Sequence, residues 1–514
     1  MLNLAHFLDV TAERYPENTA VILDGLKMCW RDLASYARRV AGVLRSRGIG
    51  PGDTVALMIP NTPHFPMIYY GILHTGAAVV PVNVLYQRSE IEHYLTDSGA
   101  KAFFAFKGFE EEARKAFLAA ECCKHFFVVS APTDLEDPAV GENFTKALMA
   151  APADFDTVQT MPDDTAVILY TSGTTGVPKG AELTHFNMFF NAYYACHHIM
   201  KMGPADTALV TLPLFHSFGQ TCLMNASVLG GGTMTMLPRF ETEKAMQVIA
   251  RDQVTIVTLV PTMYFFMLST DKYVDYDFSR VRLAVSGGAA LPEETHRRFK
   301  ERYGITILEG YGLSETSPVA SFTEEGAEVR VGSIGKPIWG VEMRIKLDNG
   351  AFGTSGEVGE IVIRGHNVMK QYLNRPQATR DAIVDGWFHT GDVGHYDADG
   401  YFYIVDRKKD IIIRGGMNIY PREIEEVLYA HPKVFEASVV GIPDAARGEE
   451  VKAYVSPVDG ETLTPEEIKE YLQQRMAKYK WPRDVEVLKE LPKGPTGKIL
   501  KRELKQRAAR EAAS

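Results

Sequence analysis

An apolar strand pattern over 165–170 runs into Thr171-Ser-Gly-Thr-Thr-Gly-Val-Pro-Lys-Gly180, a segment with three glycines, four hydroxyl side chains and one lysine. Gly173, Gly176 and Gly180 let backbone N–H groups approach phosphate oxygens. Thr171, Ser172, Thr174 and Thr175 add hydroxyl donors, and Lys179 adds a positive charge. These residue types in this order suit a polyphosphate. They do not form a Walker A loop, because Gly173-x-x-Gly176-x-x-Lys179-Gly180 departs from G-x-x-x-x-G-K-[ST] and no helix pattern begins at the lysine. A second segment ends an apolar strand in Glu309-Gly310-Tyr311-Gly312 and continues to Ser314-Glu315. A flat aromatic beside glycine can sandwich adenine, and a carboxylate can hold Mg2+ against phosphates. The third glycine of a dinucleotide fingerprint is missing, which disfavours a Rossmann reading.

Other reactive residues are less distinctive on their own. His216 lies between aromatics at the end of an apolar strand, where a histidine is usually structural. Asp392, in Thr390-Gly391-Asp392, would serve equally as a turn cap. Lys498 is one basic residue among many: 475–510 holds twelve Lys/Arg and four Asp/Glu, so this end of the chain could face an anion or simply be solvated. There is no Ser/His/Asp or Cys/His constellation and no G-x-S-x-G elbow, so the chemistry need not pass through a protein nucleophile.

The elements that must position these residues follow a βαβ rhythm. Strand patterns at 54–60, 77–83 and 100–106 alternate with helix patterns at 63–75 and 89–98, and further strands end in Gly, Pro or polar residues at 207–215, 255–262, 281–289 and 305–312. This predicts parallel sheets with chemistry beyond the strand ends. After Gly332 the texture becomes hairpin-like and rich in Gly and Asp, which predicts a β-rich subdomain. Helix patterns near 421–429 and 465–476 then mark a small α+β unit. The expected organisation is α/β: a large domain over 1–405, of stacked mixed and parallel sheets with flanking helices and the β-rich subdomain, and a small C-terminal α+β domain over 406–514.

Bulk properties agree. A chain of 514 residues exceeds one core, and 46% hydrophobic with 23% charged residues is ordinary globular composition. A net charge of -10 argues against a nucleic-acid binder. Five cysteines without metal-type spacing read as reduced thiols. The apolar stretch 65–84 is broken by Pro66, Gly71, His74, Gly76 and Pro81, which suits a buried helix and strand better than a bilayer span. The N-terminus lacks a basic n-region and an apolar h-region, so the expected compartment is the cytoplasm.

Taken together, YTSGTTGVPKG, PLFHSFG, EGYGLSET, WFHTGD, IVDRKKDIIIRGG and GPTGKILKREL resemble, in order and over nearly the whole chain, the adenylate-forming superfamily of acyl-CoA synthetases, aryl-CoA ligases, luciferases and peptide-synthetase adenylation domains. The resemblance is strongest to bacterial long-chain fatty acid CoA ligases, which join a carboxylic acid to CoA at the cost of ATP, giving AMP and pyrophosphate through an acyl-adenylate. It implies Mg2+ at Glu315 with Thr174 as phosphate or metal partner, and ATP contact along 171–176, at Lys179, and at Glu309, Gly310, Tyr311, Gly312 and Ser314. It places Gly288 and Ala289 between adenine and the acyl pocket, Asp392 at both ribose hydroxyls, Arg407 at ribose or phosphate, and His216 as a gate or wall near the carboxylate and phosphates, touching substrate but not acting as a base. Lys498 would bridge the carboxylate and the α-phosphate, and Lys501 and Arg502 would be surface charges. Asp406 would be the hinge of a mobile C-terminal domain, and Gly415 and Gly416 would border the CoA tunnel. The runner-up is an aryl-CoA ligase of the 4-coumarate type; from another class, a non-catalytic nucleotide sensor would need only the binding residues. A homodimer and peripheral membrane contact stay open.

Overall fold

The computed structural model describes residues 2–171, 177–270, 275–444, 446–494 and 497–513. Thr54–Met58 pairs in parallel with Ala78–Pro81 and with Ala102–Phe106, the helices His64–His74 and Arg88–Ser98 returning the chain between them. Because such a sheet is covered on both faces, its strands are apolar at successive positions. Val55 and Leu57 face one core, while Ala56 and Met58 face another built with Ile91, Leu95, Ala113 and Ala116 of the outer helices. His125–Val129 and Thr165–Thr171 extend this eight-stranded sheet in parallel, and Lys179–Thr184 and Gln371–Tyr372 close it antiparallel.

A second sheet, of nine strands, carries Thr207–Val210, Thr233–Met236, Ile256–Leu259, Leu283–Ser286 and Ile307–Gly312 in parallel. One core joins the inner faces of both sheets through the buried helices Trp30–Ser46 and His64–His74. The β-rich subdomain follows as an antiparallel sheet of Val341–Lys346, Gly359–Gly365, Trp387–Tyr396 and Phe402–Arg407. The C-terminal unit pairs Val434–Asp444 with Gly448–Pro457, and its own core includes Ile424, Leu428, Val439, Val451, Ile468 and Leu472. Its helices Pro421–Tyr429 and Pro465–Gln473 both start on proline, whose missing N–H costs nothing in a first turn.

Two details refine the expectations. The phosphate-type segment joins two antiparallel strands, with Thr171 opposite Lys179. The strand Phe402–Arg407 carries Asp406 and Arg407, paired with Val393 and Asp392, so the sheet reaches across the expected domain boundary between 405 and 406. The five cysteines are free thiols, three of them buried. Among the described residues no helix is long and apolar enough to cross a membrane.

Candidate active site

Tyr311 closes the strand Ile307–Gly312, and its hydroxyl donates to Asp392 Oδ2 at 2.6 Å. The other oxygen, Asp392 Oδ1, lies 2.9 Å from Arg407 Nε. Asp392 is only 2% exposed, and its position opposite Arg407 in the sheet sets this pair before any side chain is placed. Burial, and then the Asp392 carboxylate, push the Tyr311 phenol far above its ordinary range, so it stays a donor. A carboxylate has about four lone-pair sites; Asp392 can therefore accept two further hydroxyls while held by Tyr311 and Arg407. The neighbouring glycine answers to packing: a Cβ on Gly312 would lie 1.8 Å from the Pro318 carbonyl oxygen.

A second cluster stands where strand ends of the eight-stranded sheet meet Glu315. Thr171 Oγ1 donates to Glu315 Oε1 at 3.0 Å, and the Tyr372 hydroxyl donates to the same oxygen at 2.9 Å. Lys179 Nζ sits 5.3 Å from the Tyr372 ring centroid, within cation–π range. Both described bonds fall on Oε1. Among the described residues no group of three acidic, His or Cys side chains could hold a metal. A single buried carboxylate fits Mg2+ when phosphate oxygens complete the shell. Ser314 opens the short turn Ser314–Thr316 beside Glu315. Ser172, Gly173, Thr174, Thr175 and Gly176, and with them the expected metal partner Thr174, lie outside the described residues.

Lys498 reaches the first cluster from the C-terminal unit, on a small hairpin in which Lys493 bridges Ile499 and the Gly494 N–H donates to the Lys498 carbonyl at 2.8 Å. Its side chain is exposed, with the charges of Arg407, Asp392, Lys409 and Asp410 around it. Burial, then the Arg407 charge, lower its amine to about 8, with Asp392 opposing. His216 faces it: burial and the Lys498 charge push that imidazole down to about 4, so it is neutral near pH 7. The Phe218 N–H approaches His216 Nδ1 at 3.3 Å, which places the ring proton on Nε2 as a donor.

Behind these groups the strand Leu283–Ser286 ends in Gly287, Gly288 and Ala289. Gly288 has φ +80°, and a Cβ there would touch Val260 at 3.6 Å. At Gly287 a Cβ would meet the Phe218 ring at 3.0 Å. Phe218 and Val260 thus form an uncharged wall behind the glycines.

Three expected site residues fall elsewhere. Glu309, 8% exposed, points away from the Asp392 cluster; its Oε2 accepts the Leu291 N–H at 3.4 Å, and burial raises it to about 7 against the opposing charge of Arg422. Gly415 and Gly416, both at positive φ, form the exposed turn between Ile412–Arg414 and Met417–Ile419, and no described contact joins them to the cleft. Asp406 is at the junction itself: Oδ2 accepts the Arg422 N–H at 2.9 Å, and the Ile404 carbonyl accepts from Arg422 Nη1 at 2.6 Å. Lys501, expected at the surface, is instead half-buried and pairs with Glu425 at 2.8 Å, because the final helix packs it beside Asp406. Tyr372 was not expected: nothing local marks it, and only its non-local pairing opposite Ala181 brings it to Glu315.

Comparison with known proteins gives the same picture from sequence and shape. Residues 8–373 match the AMP-binding enzyme family, and residues 423–498 match the AMP-binding enzyme C-terminal domain. A long-chain-fatty-acid–CoA ligase of Bacillus subtilis (strain 168) is 36% identical, covering 98% of this chain and 94% of the relative. A feruloyl-CoA synthase of an Amycolatopsis species is 37% identical, over 96% of this chain and 97% of the relative. Among solved structures, the anthranilate CoA ligase AuaEII in complex with anthranoyl-AMP superposes with a TM-score of 0.94 at 27% identity, covering 100% of this chain and 98% of that one.

Proposed function

The chain belongs to the AMP-binding enzyme family and is an AMP-forming acyl-CoA ligase that takes a carboxylic acid, ATP and CoA, and from that premise we propose that its acid is a medium- to long-chain fatty acid. The observation that carries the choice is the uncharged wall of Phe218 and Val260 behind Gly287 and Gly288. No charge there would recognise a second carboxylate or a sulfonate, and each CH2 buried against such a wall contributes about 0.8 kcal/mol. The relative from Bacillus subtilis, named for long-chain fatty acids, supports the same choice.

In this reading the acid's carboxylate attacks the α-phosphorus of ATP, the bond to pyrophosphate breaks, and the acyl-adenylate carbonyl is then attacked by the CoA thiol with release of AMP. Lys498 stabilises charge that develops between carboxylate and α-phosphate. Neutral His216 donates from Nε2 to a substrate oxygen and takes no proton. Asp392 accepts the ribose hydroxyls, with Tyr311 and Arg407 fixing its two oxygens. Lys179 and Glu315 serve the outer phosphates, and Mg2+ held by Glu315 would supply positive charge against them. The C-terminal domain, 406–514, pivots at Asp406 to bring Gly415 and Gly416 to CoA for the second step.

An aryl acid is the second reading, supported by the feruloyl-CoA synthase relative and by the Phe218 ring, which could stack on a flat substrate. The test is kcat/KM for pyrophosphate release across straight-chain and aromatic acids. Medium to long straight chains should lead; a lead by benzoate, coumarate or ferulate would overturn the proposal.

A further inference from the structure

The helix Pro261–Leu268 starts directly behind the acyl wall, at Val260, and belongs to the large domain. Its exposed side is covered by the C-terminal unit in two places. At the first turn, Thr262 Oγ1 donates to the Gly497 carbonyl at 3.3 Å. Gly497 is the residue immediately before Lys498, and its φ of +78° keeps the site to glycine; a Cβ there would lie 2.8 Å from Thr262 Oγ1 and 3.5 Å from Val260. One turn later the rings of Phe265 and Phe266 meet Phe435, with centroids 4.7 and 5.3 Å apart. Lys493, the base of the same hairpin, stacks over Phe266 at 5.2 Å and pairs with Glu436 at 2.7 Å. One helix therefore holds the Lys498 hairpin near its tip and at its base.

We propose that this helix is the docking platform for the adenylation arrangement, and that Thr262 is a positioning residue that sets Lys498 by holding the Gly497 carbonyl. The inference rests on the reading of Lys498 given above. A side chain on a two-ended hairpin has its backbone position fixed only if both ends are held, and a misplacement of about 1 Å at a reacting centre costs on the order of 10²-fold in rate. The contact is specific to one arrangement: when the C-terminal unit swings to present another face, Thr262 parts from Gly497, and Phe265 and Phe266 part from Phe435. Thr262 therefore affects the first half-reaction and not the second. Its nearness to Val260 also joins the acyl wall to the hairpin through a single turn of helix.

The test uses the full-length protein and follows each half-reaction separately. Thr262→Val keeps the shape and removes the donor. It should lower kcat for pyrophosphate release about fivefold or more, the loss expected for one hydrogen bond plus misalignment, with KM for ATP unchanged within twofold. Thr262→Ser should restore the rate, and Phe435→Ala should show the same split from the other domain. Thioester formation from supplied acyl-adenylate and CoA should be unaltered in all three. Unaltered pyrophosphate release in Thr262→Val, with loss in Lys498→Ala, sinks the inference alone. Unaltered release in Lys498→Ala sinks the reading of Lys498, and this inference with it. Equal loss in both half-reactions with a lowered Tm makes Thr262 structural and also overturns the proposal.

Discussion

The Asp406 carboxylate accepts the backbone N–H of Arg422 at 2.9 Å, so a residue of the last subdomain strand caps the first helix of the C-terminal unit. A cap is worth about 1 kcal/mol, enough to bias an arrangement without locking it. If the chain also pivots here, proline at 406 should trap the docked form, because its φ is fixed and the preceding residue is restricted. Asp406→Pro should then keep pyrophosphate release and lose thioester formation, while Asp406→Ala should retain most of both. Loss of both half-reactions with a lower Tm in the proline variant would make the position structural; retention of both would move the pivot to Arg407–Lys409.

Tyr372 ties two charges together, donating to Glu315 while its ring lies under Lys179. A hydrogen bond to a charged group contributes about 1.5 to 3 kcal/mol. Tyr372→Phe keeps the ring and removes the bond, so the Mg2+ concentration needed for half-maximal pyrophosphate release should rise about tenfold. The Lys179 contact, and with it KM for ATP at saturating Mg2+, should change little. An unshifted Mg2+ titration would separate Tyr372 from the metal site.

The pH profile follows from Lys498. Its amine, lowered to about 8 by burial and Arg407, is charged below that value and neutral above it. The charged form is the one the mechanism uses, so kcat/KM for pyrophosphate release should hold below pH 8 and fall as pH rises through it. Bound phosphates favour the charged amine, and the matching limb in kcat should lie higher. Lys498→Arg, slower at neutral pH, should lose this limb because a guanidinium stays charged. A wild-type profile flat to pH 10 would contradict the assignment.

Stability should carry a second signature at the domain junction. Burial raises the Glu309 carboxyl from 4.5 to about 7, beside Arg422 and Glu426. A raised value means that the folded protein holds the proton more tightly than the unfolded chain. The corresponding stability is complete below pH 4.5 and is lost as pH rises through 7. Glu309→Gln removes the titration, so its Tm relative to wild type should climb by about 2 °C or more between pH 5 and pH 8. A constant difference across that range would show that Glu309 is not buried as described.

Much of this was legible in the sequence, because local pattern and burial agree where strands are parallel and covered. The strands at 54–58, 256–259 and 307–312 and the helix at 421–429 lie where periodicity placed them. Asp392, Tyr311 and Arg407 were legible only as motif members; Tyr311 meets Asp392 across 81 residues and two different sheets, and Arg407 meets it through the pairing of neighbouring strands. Tyr372 and Thr262 gave no sign at all, since a tyrosine at a strand edge and a threonine in a first helical turn are ordinary in isolation. What they do depends on which distant segment the fold lays against them. Lys501 misled for the same reason: a basic run suggests solvent, and only the packing of the last helix puts that ammonium beside Glu425.

In the proposed reaction one lysine, carried on a mobile unit, serves the first half-reaction and is absent from the second. Lys498→Ala tests it when both half-reactions are measured on the same preparation. Pyrophosphate release from fatty acid and ATP should fall on the order of 10²-fold or more, as for loss of a transition-state charge stabiliser. Thioester formation from supplied acyl-adenylate and CoA should stay within about twofold of wild type, because an interaction absent from that transition state cannot lower its barrier. Equal loss in the two half-reactions, or none in the first, would contradict the account.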